Sequence, residues 1–249
     1  MLLATENLMQ VLRRKDIRYL DFGALKRAGY RGVVFDKDNC LTLPNKDELV
    51  PDLQDAWDEC RQTFGDDNVL IVSNSVGTNI DSGGIQAESV KRNLQAPVLF
   101  HSTLKPGYSC IASIQRYFAS LHTPVRTEQL IVVGDRVFTD VVMANRLRNL
   151  ERGSGIVQMC FRCAFERGGT VGREKDGSSL YRSSESGPVA VLTTGVWQRE
   201  AMFMRWCENR LVHVVRRWIP LDEIEGPSPF LKDFSPPSLP ARSWKRWLR

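Results

Sequence analysis

Short apolar runs alternate with longer stretches of helical periodicity along most of the chain. The apolar runs, rich in β-branched and aromatic residues, are residues 33–35, 69–72, 97–100, 130–133 and 189–192. The stretches with helical periodicity are residues 51–64, 80–94, 108–121 and 137–147. Short buried strands that alternate with helices are typical of parallel βαβ units. We therefore predict an α/β fold, a doubly wound, Rossmann-like parallel sheet of about five strands with helices on both faces.

Two segments fall outside this alternation. Residues 1–30 predict a short amphipathic helix and a connector, because apolar residues precede the basic run Arg13-Arg14-Lys15. Residues from about 149 to 187 are rich in Gly, Ser and charged residues, and they separate the fourth predicted helix from the last predicted strand. A polar insertion of this length is typical of a mobile loop or a recruited functional element. The main domain is therefore predicted to span residues 31–198, with this insertion inside it.

The last fifth of the chain, residues 199–249, carries most of the excess positive charge. It contains ten basic and six acidic residues, which leaves +4 of the net charge of +5, and it contains four of the six tryptophans. We predict an amphipathic helix followed by a basic tail rich in Pro and Trp. Two interpretations stay open: the segment contacts an anionic membrane surface, or its aromatic side chains pack on the core.

Composition and charge narrow the class of protein. The 249 residues are 42% hydrophobic and 25% charged, which is ordinary for a globular protein and excludes a disordered or collagen-like chain. The apolar runs are far shorter than the roughly 20 residues that a membrane-spanning helix needs. Six cysteines are too few for a disulfide-built secreted scaffold. Since +5 is a mild excess of charge, we expect no nucleic-acid partner.

Polar side chains follow each of the first four predicted strands. They are Asp36 and Asp38, then Ser73 and Asn74, then Lys105, and finally Asp135 and Asp140. Because the carboxyl ends of parallel strands meet at one edge of an open sheet, we expect these side chains to converge there. Any one of these motifs also occurs in turns, but four of them in this order at strand ends indicate a functional site.

These motifs resemble those of a known superfamily. Asp36-x-Asp38, Ser73, Lys105 and Gly134-Asp135-x-x-x-Thr139-Asp140 are similar to the four motifs of the haloacid dehalogenase superfamily, whose phosphatases use an aspartate nucleophile. Residues 35–42, 71–75, 86–88, 105–107 and 133–137 resemble the mitochondrial phosphatidylglycerophosphate phosphatases of fungi and plants. The resemblance covers roughly residues 5–145 and resumes at 191–197. Cys40, where many members have Thr or Val, and the 149–187 insertion depart from the family pattern.

The resemblance implies a Mg²⁺-dependent reaction through an aspartyl phosphate. Asp36 is then the nucleophile, and Asp38 is the acid that protonates the leaving oxygen and the base that later activates water. The Asp36 carboxylate, the backbone carbonyl of Asp38 and Asp135 would hold Mg²⁺. Asp140 is expected outside the metal ligands, where it orients Lys105 or a metal-bound water.

The remaining motif residues are implied to bind the phosphoryl group. Ser73 would donate a hydrogen bond to a phosphoryl oxygen, and Lys105 would bridge Asp36 and the phosphate. Asn74 is a further candidate phosphate donor. Lys37 and Asn39 are expected to shape the loop, and His101 is expected to be a capping or loop histidine.

The spacing of the motifs bears on the substrate. Between Asp38 and Ser73 there is room for one helix and its loops, and between Ser73 and Lys105 for one βα unit, so neither gap holds a large cap domain. An open site suits a large or membrane-embedded substrate. This agrees with the function that the resemblance implies, hydrolysis of phosphatidylglycerophosphate to phosphatidylglycerol in cardiolipin biosynthesis. The alternatives are a capless phosphatase acting on a soluble sugar, nucleotide or nucleic-acid phosphate, and a non-catalytic scaffold.

The resemblance also implies a cellular setting. It places the protein in the mitochondrion, on the matrix side of the inner membrane, as a peripheral protein without a transmembrane segment. Its partners are then the phospholipid substrate and an anionic membrane surface. The sequence leaves open a homo-oligomer, since capless members of the superfamily often complete their sites by association.

Overall fold

A computed structural model describes residues 11–150, 187–195, 197–198, 206–208, 210 and 230–232. Five strands form its sheet: β1 (Val11–Arg14), β2 (Gly32–Phe35), β3 (Val69–Ile71), β4 (Leu130–Gly134) and β5 (Val189–Thr193). All the pairings are parallel, and the strand order is β1-β5-β4-β2-β3. The predicted Rossmann-like α/β fold is confirmed.

Helices connect the strands. They are α1 (Phe22–Arg27), α2 (Gln54–Phe64), α3 (Ile85–Leu94) and α4 (Tyr108–Ala119). After β4 the chain forms a π-helical turn (Val137–Val141) and continues as a helix through residues 142–150. Between β2 and Lys105 the connections hold α2, α3 and short 3-10 turns, and no further domain.

The alternation of side chains along the strands divides the core into two layers. Val33 and Phe35 of β2 pack on one face of the sheet, together with residues of α1, α2 and α3. Val34 packs on the opposite face, with residues of α4 and of the helical run 142–150. Because both faces are covered, every strand residue of β2 and β4 is buried, which explains why their sequences are continuously apolar.

Residues 11–30 are more regular than the predicted connector, and the predicted amphipathic helix falls mostly on residues 1–10, outside the described residues. Val11–Arg14 forms an edge strand that pairs with β5 in the register Val11↔Ala190 to Arg14↔Thr193, and α1 follows where a connector was expected. Four residues are too few for periodicity to distinguish a strand from a helix. The partner strand also lies about 180 residues away, and local sequence does not reveal it.

The predicted strand at residues 97–100 is wrong. It forms an isolated bridge, Ile71↔Val98, in which the N–H of Ile71 donates to the Pro97 carbonyl and the N–H of Leu99 donates to the Ile71 carbonyl. Pro97 has no N–H to extend the ladder, and Phe100 is exposed. The count of five strands holds because β1 takes the place of this segment.

A short part of the C-terminal segment packs on the main domain. The N–H of Asp21 donates to the Phe230 carbonyl (2.9 Å), and the Phe230 ring meets Tyr30 edge-on at 6.3 Å. The ammonium group of Lys232 pairs with Glu59. The predicted insertion and most of the predicted amphipathic helix and tail lie outside the described residues. Among the described helices, none is long and apolar enough to cross a membrane.

Candidate active site

The carboxyl edge of the sheet carries the polar residues that the sequence singles out. Asp36 follows β2 directly, and its N–H donates to the Val133 carbonyl of β4 (2.8 Å). This bond extends the β2–β4 pairing past the end of the strand and fixes the Asp36 backbone. Ser73 follows β3 and Asp135 follows β4, and the side chains of both residues are buried.

Lys105 joins two of the carboxylates. Its buried ammonium group lies 2.8 Å from Asp36 Oδ1 and 2.8 Å from Asp140 Oδ1. Asn74 holds the backbone of the lysine: its Oδ1 accepts from the Lys105 N–H (2.6 Å), and its Nδ2 donates to the Lys105 carbonyl (3.3 Å). Both polar atoms of the Asn74 amide are therefore engaged with Lys105.

The π-helical turn after β4 presents Asp140. Its Oδ2 accepts from the Arg136 N–H (3.2 Å) and from Thr139 Oγ1 (2.9 Å), which leaves Oδ1 for Lys105. Gly134 is required here because a Cβ at this position would overlap the Asp140 carboxylate. The Gly134-Asp135-x-x-x-Thr139-Asp140 spacing thus matches a turn that aims one carboxylate at the lysine.

Three carboxylates could hold a metal ion. One oxygen from each of Asp36, Asp135 and Asp140 lies within 4.8 Å of the others. All three residues are buried, and Lys105 contributes the ammonium group that lies between two of them. Oxygen donors and excess negative charge fit a hard divalent cation. Asp140, which the sequence places outside the ligand set, lies close enough to join it, whereas the Asp38 side chain is not part of this group.

The crowding of charge shifts the protonation of the site. Burial raises the pKa of Asp36 to about 8; the charge of Lys105 opposes this shift, and Asp140 and Asp135 add to it. Burial acts to lower the pKa of Lys105, but the charges of Asp140 and Asp36 outweigh it and hold the pKa above its usual value. The lysine is therefore a permanent cation, and the negative charge on Asp36 carries a cost that a bound divalent cation would offset.

Asp38 lies apart from the acidic group and is held by other contacts. Its Oδ1 pairs with the ammonium group of Lys37 (2.7 Å), and its Oδ2 accepts from Ser75 Oγ (2.6 Å). Ser73 Oγ lies 3.5 Å from the same Oδ2 and 2.9 Å from Ser75 Oγ. The Asp38 side chain is 25% exposed, so its carboxylate is held in place by these contacts and still accessible to solvent.

The sequence motifs assign Ser75 no role and Lys37 only a loop-shaping one. The Lys37 side chain is almost fully buried and also donates to the Lys46 carbonyl (3.0 Å). A lysine beside two aspartates in sequence gives no indication that its side chain turns inward. The second serine in Ser73-Asn74-Ser75 is the feature of the sequence that could have indicated a second hydroxyl group near Asp38.

His101 links the segments that carry Ser73 and Lys105. Its Nε2 lies 3.0 Å from the Ser73 carbonyl and its Nδ1 lies 2.7 Å from the Thr103 carbonyl. Its own N–H donates to the Gly77 carbonyl (2.9 Å). His101 is therefore a loop histidine, as expected, and its ring contacts the backbone of two segments: the one that carries Ser73 and the one that leads to Lys105.

Residues 1–152, more than half of the chain, match the family model described as Mitochondrial PGP phosphatase. The chain belongs to this family. The matched span includes β1 to β4 and every candidate site residue, so the family assignment and the geometry concern the same part of the molecule.

Three curated relatives have names that agree with the family. The mitochondrial phosphatidylglycerophosphatase of Saccharomyces cerevisiae is 42% identical over 115 residues, which are 46% of this chain and 61% of that protein. The chloroplastic phosphatidylglycerophosphate phosphatase 1 of Chlamydomonas reinhardtii is 43% identical over 136 residues, 54% of this chain and 48% of that protein. The chloroplastic/mitochondrial phosphatidylglycerophosphate phosphatase 1 of Arabidopsis thaliana is 38% identical over 133 residues, which are 53% of this chain and 36% of that protein. The chain thus spans less than two thirds of each relative's length. No solved structure matches it.

Proposed function

We propose that the protein is a Mg²⁺-dependent phosphatase that hydrolyses phosphatidylglycerophosphate to phosphatidylglycerol, a step toward cardiolipin. The observation that carries the proposal is the Asp36–Lys105–Asp140 ion-pair network at the sheet edge of a chain that belongs to the PGP phosphatase family. A buried lysine shared by two carboxylates provides a cation beside a nucleophile, which an anionic phosphate monoester requires.

In the first step of this reaction Asp36 attacks phosphorus. A bond forms between a carboxylate oxygen of Asp36 and phosphorus, and the bond from phosphorus to the terminal glycerol oxygen breaks. Asp38 gives its proton to that leaving oxygen. Lys105 stays paired with Asp140, which keeps the ammonium group directed at Asp36 and the incoming phosphate.

In the second step water releases the phosphate. Asp38, now ionised, takes a proton from the water as its oxygen bonds to phosphorus. The bond between phosphorus and Asp36 breaks, and inorganic phosphate leaves. Ser73 is proposed to donate to a phosphoryl oxygen throughout. Asn74, whose amide is engaged with the Lys105 backbone, would contribute by holding that lysine in place.

Asp36, Asp38 and Asp135 would also hold the metal ion. We assign Mg²⁺ to the Asp36 and Asp135 carboxylates and the Asp38 backbone carbonyl, with Asp140 orienting Lys105 or a metal-bound water. The ion would supply positive charge that relieves the repulsion between two anions, the carboxylate and the phosphate. The close approach of the three carboxylates supports a divalent ion at this position.

The setting of the reaction follows from the lipid substrate. The names of the relatives from Saccharomyces cerevisiae and Schizosaccharomyces pombe place those proteins in mitochondria, and we propose the same compartment here. We further propose a peripheral position on an anionic membrane, on the matrix side of the inner membrane. Association of two or more chains around the site belongs to the same proposal.

A phosphate-release panel tests this function. The purified chain is incubated, with and without Mg²⁺, with phosphatidylglycerophosphate in detergent micelles, sugar phosphates, nucleotides and phosphorylated oligonucleotides. We expect release from the lipid, strictly with Mg²⁺, at a kcat/KM well above that of any soluble compound. Release from soluble phosphates alone would instead support the capless soluble-substrate phosphatase, and no release from any compound would support the scaffold. The Asp36→Asn variant, purified in parallel, controls for contaminating phosphatases.

A further inference from the structure

In the part of the chain that the structure describes, the exposed large apolar side chains are concentrated in the segments that lead away from the candidate site residues. In the described parts of the chain there are eight such side chains, and six belong to the segments that follow β2 and β3. They are Leu43, Ile80, Ile85, Phe100, Leu104 and Tyr108. Single exposed apolar residues need no explanation, but their concentration in these segments does.

The exposure of these side chains is large. Ile80 is 74% exposed, Ile85 is 75% exposed and Phe100 is 63% exposed. Leu104 precedes Lys105 directly, and Tyr108 begins α4 three residues after it. We call the set Ile80, Ile85, Phe100, Leu104 and Tyr108 the apolar rim.

Backbone and side-chain contacts join the segments that carry Ile80, Ile85 and Phe100. The N–H of His101, the neighbour of Phe100, donates to the Gly77 carbonyl in the segment that leads to Ile80. The Phe100 ring lies against Gly84, where an added Cβ would meet it at 2.9 Å, and Gly84 precedes Ile85. The same His101 ring contacts the Ser73 carbonyl, so this surface is tied to the backbone of the site itself.

One end of the apolar rim also offers positive charge. The guanidinium group of Arg146 lies over the Tyr108 ring, 4.9 Å from its centroid, and donates to the Pro106 carbonyl. An aromatic side chain next to a cation suits the boundary between apolar lipid and anionic headgroups. This combination favours a membrane over an apolar protein surface as the occupant.

The chemistry of the substrate requires such a surface, and this step rests on the proposed function. The two acyl chains of a phospholipid stay in the bilayer, because each methylene group that leaves it loses hydrophobic stabilisation. The phosphate must nevertheless reach Asp36, which is recessed at the carboxyl edge of the sheet. Hydrolysis in a membrane therefore needs this edge to face the bilayer directly.

We propose that the apolar rim inserts into the interfacial layer of a phospholipid bilayer and directs the carboxyl edge of the sheet toward it. Ile80, Ile85 and Phe100 then enter between the headgroups as one group. Leu104 and Tyr108, which flank Lys105 in the chain, enter with them.

The test compares two variants in vesicle binding. Ile80→Gln/Ile85→Gln removes two apolar side chains of the rim without opening a cavity. Leu150→Gln is the matched control: Leu150 is 37% exposed and is the last described residue of a helical run that starts at the carboxyl edge and leads away from it. Co-sedimentation uses phosphatidylcholine vesicles containing phosphatidylglycerol, at low and at high salt. Phe100→Gln is a second rim variant, and thermal unfolding checks that all variants fold.

We expect the double variant to bind vesicles at least about ten-fold more weakly, which corresponds to about 1.4 kcal/mol. The loss should persist at high salt, because the contact is apolar. Leu150→Gln should bind as the unmodified chain does. The ratio of phosphatidylglycerophosphate hydrolysis in vesicles to hydrolysis of a soluble aryl phosphate should fall by a similar factor in the double variant.

Other outcomes overturn the inference. Unchanged vesicle binding by both rim variants, or no binding by the unmodified chain, shows that the rim does not contact lipid. Light scattering tests a second possibility. If the unmodified chain is a dimer, and the double variant is a monomer that still binds vesicles with normal affinity, the rim joins two copies of this chain. Rim-dependent vesicle binding without any phosphate release from the lipid leaves the rim contact established and refutes the proposed function instead.

Discussion

Asp36 and Asp38 are two residues apart, and their different surroundings support the two roles that we propose for them. Asp36 is buried against Lys105 and two further carboxylates, whereas Asp38 is partly exposed and held by Lys37 and Ser75. A buried carboxylate paired with a cation suits attack on phosphorus. An anchored, accessible carboxyl group suits proton transfer to a departing oxygen.

Substitution of each aspartate by asparagine separates these roles. Asp36→Asn should abolish turnover, because no covalent intermediate can form. Asp38→Asn should lower kcat by at least about 10²-fold, the low end for general acid–base catalysis. It should still allow aryl phosphates with good leaving groups to phosphorylate Asp36. Steady-state rates with alkyl and aryl phosphates measure the difference, and unmodified rates in either variant contradict the assignment.

The raised pKa of Asp36 predicts a pH-dependent cost to stability in the metal-free protein. Its pKa of about 8 lies above the ordinary value of 3.8, so the folded state binds more protons than the unfolded state between these values. Stability from this group is complete below about pH 4 and is lost as the pH rises through 8. In EDTA, Asp36→Asn should therefore raise Tm at pH 8 by several degrees, since 1 kcal/mol shifts Tm by about 2–4 °C at this chain length.

The increase in Tm caused by Asp36→Asn should become smaller as the pH falls toward 4, because the Asp36 side chain of the unmodified protein is then also uncharged. Thermal unfolding by circular dichroism over a pH series measures it. A gain that does not vary with pH would show that the substitution acts through packing and that the Asp36 pKa is not raised.

Metal dependence follows from the same carboxylates. EDTA should abolish phosphate release and added Mg²⁺ should restore it, because Asp36, Asp135 and Asp140 crowd negative charge that a divalent cation neutralises. Ca²⁺ should inhibit, since its larger and looser coordination sphere disturbs the in-line arrangement. Isothermal titration with Mg²⁺ gives the affinity independently of turnover. Full activity in excess chelator is incompatible with the mechanism.

At the scale of elements, the site is assembled from the ends of β2, β3 and β4 and the segment before α4. The segment before α4 carries Lys105 but is not a strand; it is attached to β3 through the Ile71↔Val98 bridge and through His101. The correct placement of Lys105 against Asp36 thus depends on the His101 contacts as well as on the sheet.

Replacement of His101 tests this connection. His101→Phe keeps a buried ring but removes the contacts of both ring nitrogens, and loss of the buried contact with the Ser73 carbonyl costs about 1–3 kcal/mol. We expect a lower Tm and a kcat at least about ten-fold lower, with a smaller change in KM, because Ser73 and Lys105 lose their relative position. His101→Gln, which keeps a donor, should recover part of kcat. A lower Tm with normal kcat would indicate a structural role only.

At the scale of the whole molecule, two parts of the chain are candidates for membrane contact. The apolar rim lies in the segments that follow β3 and includes both neighbours of the Lys105 loop, Leu104 and Tyr108. The terminal residues 243–249 carry two tryptophans and three basic residues and lie outside the described residues. Residues 230–232, in the same C-terminal segment, pack on the main domain beside Asp21 and Glu59. Packing on the core and membrane contact can therefore belong to different parts of this segment.

Deletion of residues 243–249 tests the tail. Each basic residue near an anionic surface contributes about 1 kcal/mol, weakened by salt. The deletion should therefore weaken binding to anionic vesicles at low salt, and raise the apparent KM for the lipid, while hydrolysis of a soluble aryl phosphate stays unchanged. Unlike the loss caused by rim variants, this loss should disappear at high salt. Unaltered co-sedimentation after the deletion would show that the tail does not contact the membrane.

The amino-acid sequence by itself determined the fold class and the positions of the candidate site. Parallel strands covered on both faces leave continuous apolar runs, and their carboxyl ends meet at one edge, so Asp36, Asp135 and Asp140 could be located by reading along the chain. Asp38, Ser73 and Lys105 were located in the same way, Lys105 even though the strand assigned before it was wrong. These features depend on the local pattern of apolar and polar residues and on the order of strands and helices along the chain, and both can be read from the sequence.

Only the tertiary structure decided what surrounds those residues. The pairing of β1 with β5, the inward turn of Lys37, the two carbonyl contacts of His101 and the raised pKa of Asp36 all depend on groups distant in sequence. The apolar rim is likewise invisible in sequence, because Ile85 and Phe100 have the same apolar character as core residues. Burial, ion pairing and exposure are set by which segments meet in space, and no local pattern specifies them.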